Sequence, residues 1–159
     1  MAESSFAFKG TKAEIYQQLL PQLQLLIEGE TNLIAVLGNT SAALKEAFGF
    51  FCFGFYSVQN DQLELGPFQG TVACPRIRKG KGVCGTAWET KTLQLVPDVE
   101  QFPGHIACSA SSKSEIVVPI LKNNEVVAVL DVDSDQLNDF DETDALYLSQ
   151  LCQSLSVFF

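Results

Sequence analysis

Side chains able to carry thiol and acid–base chemistry recur from residue 74 onward in this 159-residue chain. Cys74, Cys84 and Cys108 each end or open an element or lie in a polar loop, as in HIACSASSKSE around Cys108. Thiols so placed are candidates for reactivity, whereas Cys52 in an aromatic stretch and Cys152 in an apolar helix read as small core hydrophobes. In EVVAVLDVD the alternation of a strand sends Val127, Val129, Asp131 and Asp133 to one face, and Val126, Ala128, Leu130 and Val132 to the other. In SEIVVPI it sends Glu115, Val117 and Pro119 to one side. Paired as a hairpin, these strands gather three carboxyls at one edge of a sheet, beside the loop that carries Cys108. Three carboxyls in one small cavity do not all ionise cheaply, so at least one keeps a proton it can donate, or the group binds a cation such as an amino group. Each acid alone is equally well explained as a solvated strand end. The same acids raise a nearby thiol pKa, so a thiolate there needs positive charge from a substrate or a local donor.

His105 and Cys108 lie three apart, and Cys84 could join them as a metal ligand. A structural zinc site wants a fourth ligand and tighter pairs than Cys74 and Cys84 offer, so no metal is expected. His105 then reads as a loop hydrogen-bonding residue, and Trp88 as core. RIRKGKG, the single basic cluster, is a solvated loop or a flexible flap near an anionic group.

These residues need a framework. Residues 11–28 place Ile15, Leu19, Leu20, Leu23, Leu26 and Ile27 at helical spacing behind Thr11 as N-cap, with Pro21 expected to kink or divide the helix. A second helix is predicted over 32–47 with Gly49 as its stop, weakened in the middle by Gly38 and Asn39. FFCFGFYSV, 50–58, is a strand, and Asn60-Asp61 turns it into 62–66. A short strand follows at 70–74, ending at Pro75, then a short helix at 82–90 with Trp88 inward and an extended segment at 92–96. The long loop 97–113 separates these from strands at 114–121 and 125–133, joined through Asn123 and Asn124. The last segment, 138–159, opens with acids suited to a helix N-terminus and repeats Leu146, Leu148, Leu151, Leu155 and Phe158. The fold class is therefore α+β: a central antiparallel sheet of about six strands, with the N- and C-terminal helices on one face and the cysteine loop on the other.

A hydrophobic content of 47% is enough for a core, and the length suits one domain spanning 1–159. The net charge of −9 repels phosphate backbones and anionic lipids, so neither nucleic acid nor membrane is an expected partner. No apolar run is long enough to span a bilayer, and MAESSFAFKG lacks a secretory pattern, which points to the cytoplasm. Five irregularly spaced cysteines do not suit a secreted disulfide framework.

GVCGTAW, LVPDVEQFPGHIAC, SKSEIVVPI and VLDVDS, in this order, resemble the free methionine-(R)-sulfoxide reductases, small enzymes made of a single GAF domain. The resemblance is close over roughly residues 50–141. It implies reduction of free L-methionine-(R)-sulfoxide to methionine, with no bound cofactor and with thioredoxin, its reductase and NADPH as external reductant. It implies Cys108 as the nucleophile that becomes a sulfenic acid, Cys74 or Cys84 as the resolving thiol, and Glu115, Asp131 and Asp133 as the acidic substrate residues. Cys74 is the favoured resolver because it sits at a strand end beside the basic loop. A protonated carboxyl, Glu115 or Asp133, would serve as general acid, and the remaining carboxylates would bind the substrate ammonium. A homodimer is implied by the family alone. One departure stands out: where the family usually has a tryptophan lining the methyl sulfoxide pocket, this chain has Cys52, leaving Phe51, Phe53 or Tyr56 to supply apolar lining. The rival readings are a non-catalytic GAF domain that senses a small ligand and a thiol redox sensor.

Overall fold

The computed structural model describes residues 7–159. Helix α1, Lys12–Ile27, is capped by Thr11, whose hydroxyl accepts from the Glu14 N–H at 3.3 Å. It buries Tyr16, Leu19, Leu23 and Ile27, one stripe at helical spacing. Pro21 neither divides nor ends it: the residue is exposed, opposite that stripe, where water can take the carbonyl its missing N–H leaves unpaired. Helix α2, Leu33–Phe48, starts at Asn32, whose side chain accepts from Ile34 and Ala35, and stops at Gly49 in a left-handed conformation with φ 62°. It runs unbroken through Gly38 and Asn39 because its buried face, Val36, Leu37, Thr40, Ala43 and Leu44, flanks them.

Strands β1, Cys52–Gln59, and β2, Gln62–Gln69, are joined by Asn60 and Asp61, both at positive φ (51° and 58°), the two-residue turn whose twist suits a hairpin. The strand expected at 70–74 does not form. Gly70 at φ 115° turns the chain away, and pairing resumes only at β3, Arg76–Ile77, after the Leu65 N–H has donated to the Pro75 carbonyl. Residues 71–74 are thereby free of the ladder. Helix α3, Gly82–Thr90, strand β4, Gln94–Val96, and the long hairpin of β5, Ser114–Lys122, and β6, Glu125–Ser134, follow as expected. Helix α4, Glu142–Leu155, begins later than residue 138, at an Asp141 N-cap that forms a reciprocal capping box with Asp144, and ends in a 3-10 turn, Ser156–Phe158.

The six strands form one antiparallel sheet in the order β3-β2-β1-β6-β5-β4. Phe53, Phe55, Ile116, Val118, Leu130 and Val132 face α1, α2 and α4 in the main core. Tyr56, Leu63, Val117 and Val129 face the other way, against Val83, Ala87 and Trp88 of α3. The alternation expected in β6 holds from Ala128 to Asp133 but reverses before it: Val126 joins the α3 side and Val127 the helical core. The cause is a register shift, with Ile120 opposite Ala128 and Leu121 opposite Val126, which leaves Val127 unpaired. Asp144, fully buried, ties α1 to α4 by accepting from Lys12 Nζ at 2.6 Å and from the Tyr16 hydroxyl at 2.7 Å. Among the described residues no helix is long and apolar enough to cross a membrane.

Candidate active site

Register brings the acids together. Across β5 and β6, Glu115 pairs with Asp133 and Val117 with Asp131; across β1 and β6, Cys52 pairs with Asp133 and Gly54 with Asp131. All lie on the face turned toward α3. Gly54 sits where β1 and β2 shift register, and an added Cβ would run into the Phe68 side chain and backbone. Gly82 opens α3 at φ 62°, a conformation that favours glycine, and the first turn then buries Cys84 over the acids. One ligand atom each from Cys84, Glu115 and Asp131 lie within 4.8 Å of one another.

The loop 97–113 is held at both ends. Val99 N–H donates to the Lys113 carbonyl at 2.9 Å, and Lys113 N–H to the Ser134 carbonyl at 2.7 Å. Between these ties the loop places His105 Nε2 at 3.6 Å from Glu115 Oε2 and carries Cys108 to Cys74. Cys74 and Cys108 form a disulfide with their Cα atoms 5.3 Å apart. The non-ladder segment 71–74 makes this reach possible, and the Tyr56 hydroxyl steadies it by donating to the Cys74 carbonyl at 3.0 Å. Both disulfide residues are half-buried.

The result is a pocket with an acidic floor. Its apolar wall is Tyr56, Leu65, Phe68, Val72 and Ile106, and Lys81 stands at its edge. Burial, followed by the charge of Asp133, raises the Glu115 pKa against a hydrogen bond with Asp131 that lowers it. Burial and then Glu115 push Asp131 well above the carboxylate range. Asp133 is raised by burial and by Asp131, more than hydrogen bonding to Ser112 and the charge of His105 lower it. The floor thus retains protons at neutral pH, as three acids in one cavity require. Cys84 is pushed up strongly by burial and then by Asp131, Glu115 and Asp133, so it stays a thiol.

Cys84, Cys108, Glu115, Asp131, Asp133 and Tyr56 therefore converge on one pocket, with Cys74 tied to it through its disulfide to Cys108 and Cys84 buried and free. Cys152 lies in the helical core as expected; Cys52 is buried too, but on the other face of the sheet, where it lines the pocket with its thiol 3.8 Å from the Thr71 carbonyl. Strand alternation explains this, since Cys52 shares a face with Gly54 and Tyr56. Of the aromatic candidates for lining, Tyr56 and Phe53 both border the pocket, although the Phe53 side chain packs in the helical core, and Phe51 lies outside it. Phe68, Leu65, Val72 and Ile106 were not anticipated. Their signal is slight: Ile106 is an isolated apolar residue, 41% exposed, within a polar loop. His105 belongs to the acidic site rather than to a metal set with Cys108. The basic cluster divides, with Lys79 5.3 Å above the Trp88 ring and Lys81 at the pocket.

This fold and site define a GAF domain, and the GAF domain family model matches residues 30–159. GAF domain-containing protein A of Dictyostelium discoideum is 58% identical over 156 residues, 98% of this chain and 99% of that protein. The free methionine-R-sulfoxide reductase of Escherichia coli (strain K12) is 46% identical over 145 residues, 91% of this chain and 88% of the enzyme. A crystal structure of free methionine-R-sulfoxide reductase from Neisseria meningitidis in complex with its substrate superposes with a TM-score of 0.94 at 49% identity, covering 96% of this chain and 93% of that one. The chain belongs to the free methionine-R-sulfoxide reductase family.

Proposed function

We propose that this protein reduces free L-methionine-(R)-sulfoxide to methionine with Cys108 as nucleophile. The observation that carries the proposal is the Cys74–Cys108 disulfide at the mouth of a pocket floored by Glu115, Asp131 and Asp133. With the disulfide reduced, the Cys108 sulfur attacks the sulfoxide sulfur while a protonated carboxyl, Glu115 or Asp133, hydrogen-bonds the sulfoxide oxygen and donates to it. The oxygen passes to Cys108: methionine is released and Cys108 is left as a sulfenic acid. The Cys74 thiol condenses with that acid, forming the disulfide and releasing one water. Two electrons from a dithiol reductant then restore both thiols. The half-buried positions of Cys74 and Cys108 favour a protein dithiol such as thioredoxin, recycled by its reductase and NADPH.

Substrate charge completes the site. An ammonium above Asp131 and its neighbours offsets the negative field that would otherwise hold the Cys108 thiol protonated. The residue pairing favours Cys74 over Cys84 as resolver, because Cys74 is the thiol joined to Cys108 while Cys84 is buried and its thiol pKa is raised. Purified protein with thioredoxin, thioredoxin reductase and NADPH should consume NADPH on addition of the free R epimer and lose that activity in Cys108→Ser. Full activity in Cys108→Ser would overturn the assignment of the nucleophile.

A further inference from the structure

Cys84 takes no part in the redox pair, yet it is placed for chemistry. It is 3% exposed, remains a free thiol when Cys74 and Cys108 are joined, and offers its sulfur within 4.8 Å of one oxygen each of Glu115 and Asp131. A second observation points to a cation. Asp131 Oδ1 is buried and has no hydrogen-bond partner. A buried carboxyl oxygen without a partner is costly, and a bound cation would satisfy it.

We propose that Cys84, Glu115 and Asp131 form a binding site for a divalent ion of borderline softness, with zinc the fitting example, and that its occupation excludes substrate from the pocket. One sulfur and two oxygens suit zinc better than magnesium or calcium, which prefer oxygen alone. Three protein ligands leave a fourth coordination position, and here it faces the pocket rather than the core, because Glu115 and Asp131 both line the cavity. Binding balances simply: the metal displaces the Cys84 proton and any proton held between the carboxyls, releasing them to solvent, with no change in oxidation state. The ligand set is intact in the disulfide-closed form, so the ion can bind whether or not the redox pair is reduced.

The test uses the full chain with its disulfide closed, stripped of metal and titrated with zinc chloride by calorimetry and with cadmium chloride by the ultraviolet thiolate-to-metal band. One zinc per chain and a cadmium–thiolate band are expected in the parent protein and in Cys52→Ala, which alters the other thiol at the pocket. Both Cys84→Ala and the isosteric Cys84→Ser, each checked for folding by circular dichroism, should lose the band. They should also weaken zinc binding by more than the roughly 10–100-fold that loss of an outer-shell partner costs. No saturable uptake, uptake unchanged by the Cys84 substitutions, or a band lost in Cys52→Ala would overturn the site. Competition rests on the reductase reading: zinc at ten times its Kd should raise the apparent KM for methionine sulfoxide about tenfold. Turnover in metal-free buffer is scored separately, so failure of the metal site and failure of the reductase reading are distinguishable.

Discussion

Cys108 and Cys74 are ordinary loop thiols in the sequence and become a redox pair only through what surrounds them. The acids were legible because period-2 alternation puts Asp131 and Asp133 on one strand face and Glu115 opposite Asp133. His105 was not, since a lone histidine in a loop carries no periodicity, and its 3.6 Å approach to Glu115 depends on loop closure. Cys52 is buried as expected, but its place at the pocket was not legible because an aromatic strand with both faces buried looks the same from either side. In Cys74→Ser the Cys108 sulfenic acid has lost its resolving thiol. One sulfoxide should be reduced per chain in a single-turnover burst, steady turnover should fall, and a sulfenic-acid probe should label Cys108. Unimpaired steady turnover would instead assign resolution to Cys84. Glu115→Gln keeps shape but removes a titrating donor, and kcat should drop about 10²–10⁴-fold if this carboxyl supplies the proton. Because burial and neighbouring charge raise the pKa values of the floor acids, the donor form persists to neutral pH and is lost as pH climbs through the raised value. The kcat profile should therefore fall on its alkaline side, and Glu115→Gln should flatten that limb.

Elements with strong local chemistry were readable from residue order. Thr11, Asn32 and Gly49 mark helix ends, and Asn60-Asp61 and Asn123-Asn124 mark two hairpins. Elements decided by pairing were less so: 70–74 has strand-like residues but no partner, and the shift that leaves Val127 unpaired has no local sequence signature. Gly54 is where an element meets the site. Gly54→Ala forces a methyl against Phe68 on β2 and should cost about 1–3 kcal/mol, the usual range for overpacking, while raising KM by narrowing the pocket; unchanged thermal stability and KM would refute this packing role. Asp144 belongs to the helical layer. Asp144→Ala leaves the buried Tyr16 hydroxyl and the partly exposed Lys12 without their shared carboxylate and should cost about 1–3 kcal/mol. At this chain length each kcal/mol lowers Tm by roughly 2–4 °C.

At the scale of the molecule, the sheet divides the chain into a helical side that stabilises and an α3 side that carries chemistry. The layered α+β plan was visible in the order of elements, whereas the Cys74–Cys108 pairing depends on two irregular segments meeting across the pocket. The division makes stability and function respond to pH together. In the unfolded chain the floor acids lose protons near pH 4. In the fold their pKa values are raised, so the native state binds more protons across the interval between the two values. These groups therefore lower stability as pH rises from about 4 through the raised folded values, beyond which their contribution is constant. Asp131→Asn removes one such group and should raise Tm more at alkaline than at acidic pH; an equal or opposite shift would contradict the protonated floor. The central claim concerns the whole site acting on one substrate, and the direct measurement is NADPH consumption coupled through thioredoxin with free methionine sulfoxide as a single resolved epimer. The R epimer should turn over, and the S epimer and peptide-bound sulfoxide should give little. No sulfoxide-dependent consumption by the fully reduced protein would contradict the reductase reading and favour a sensor.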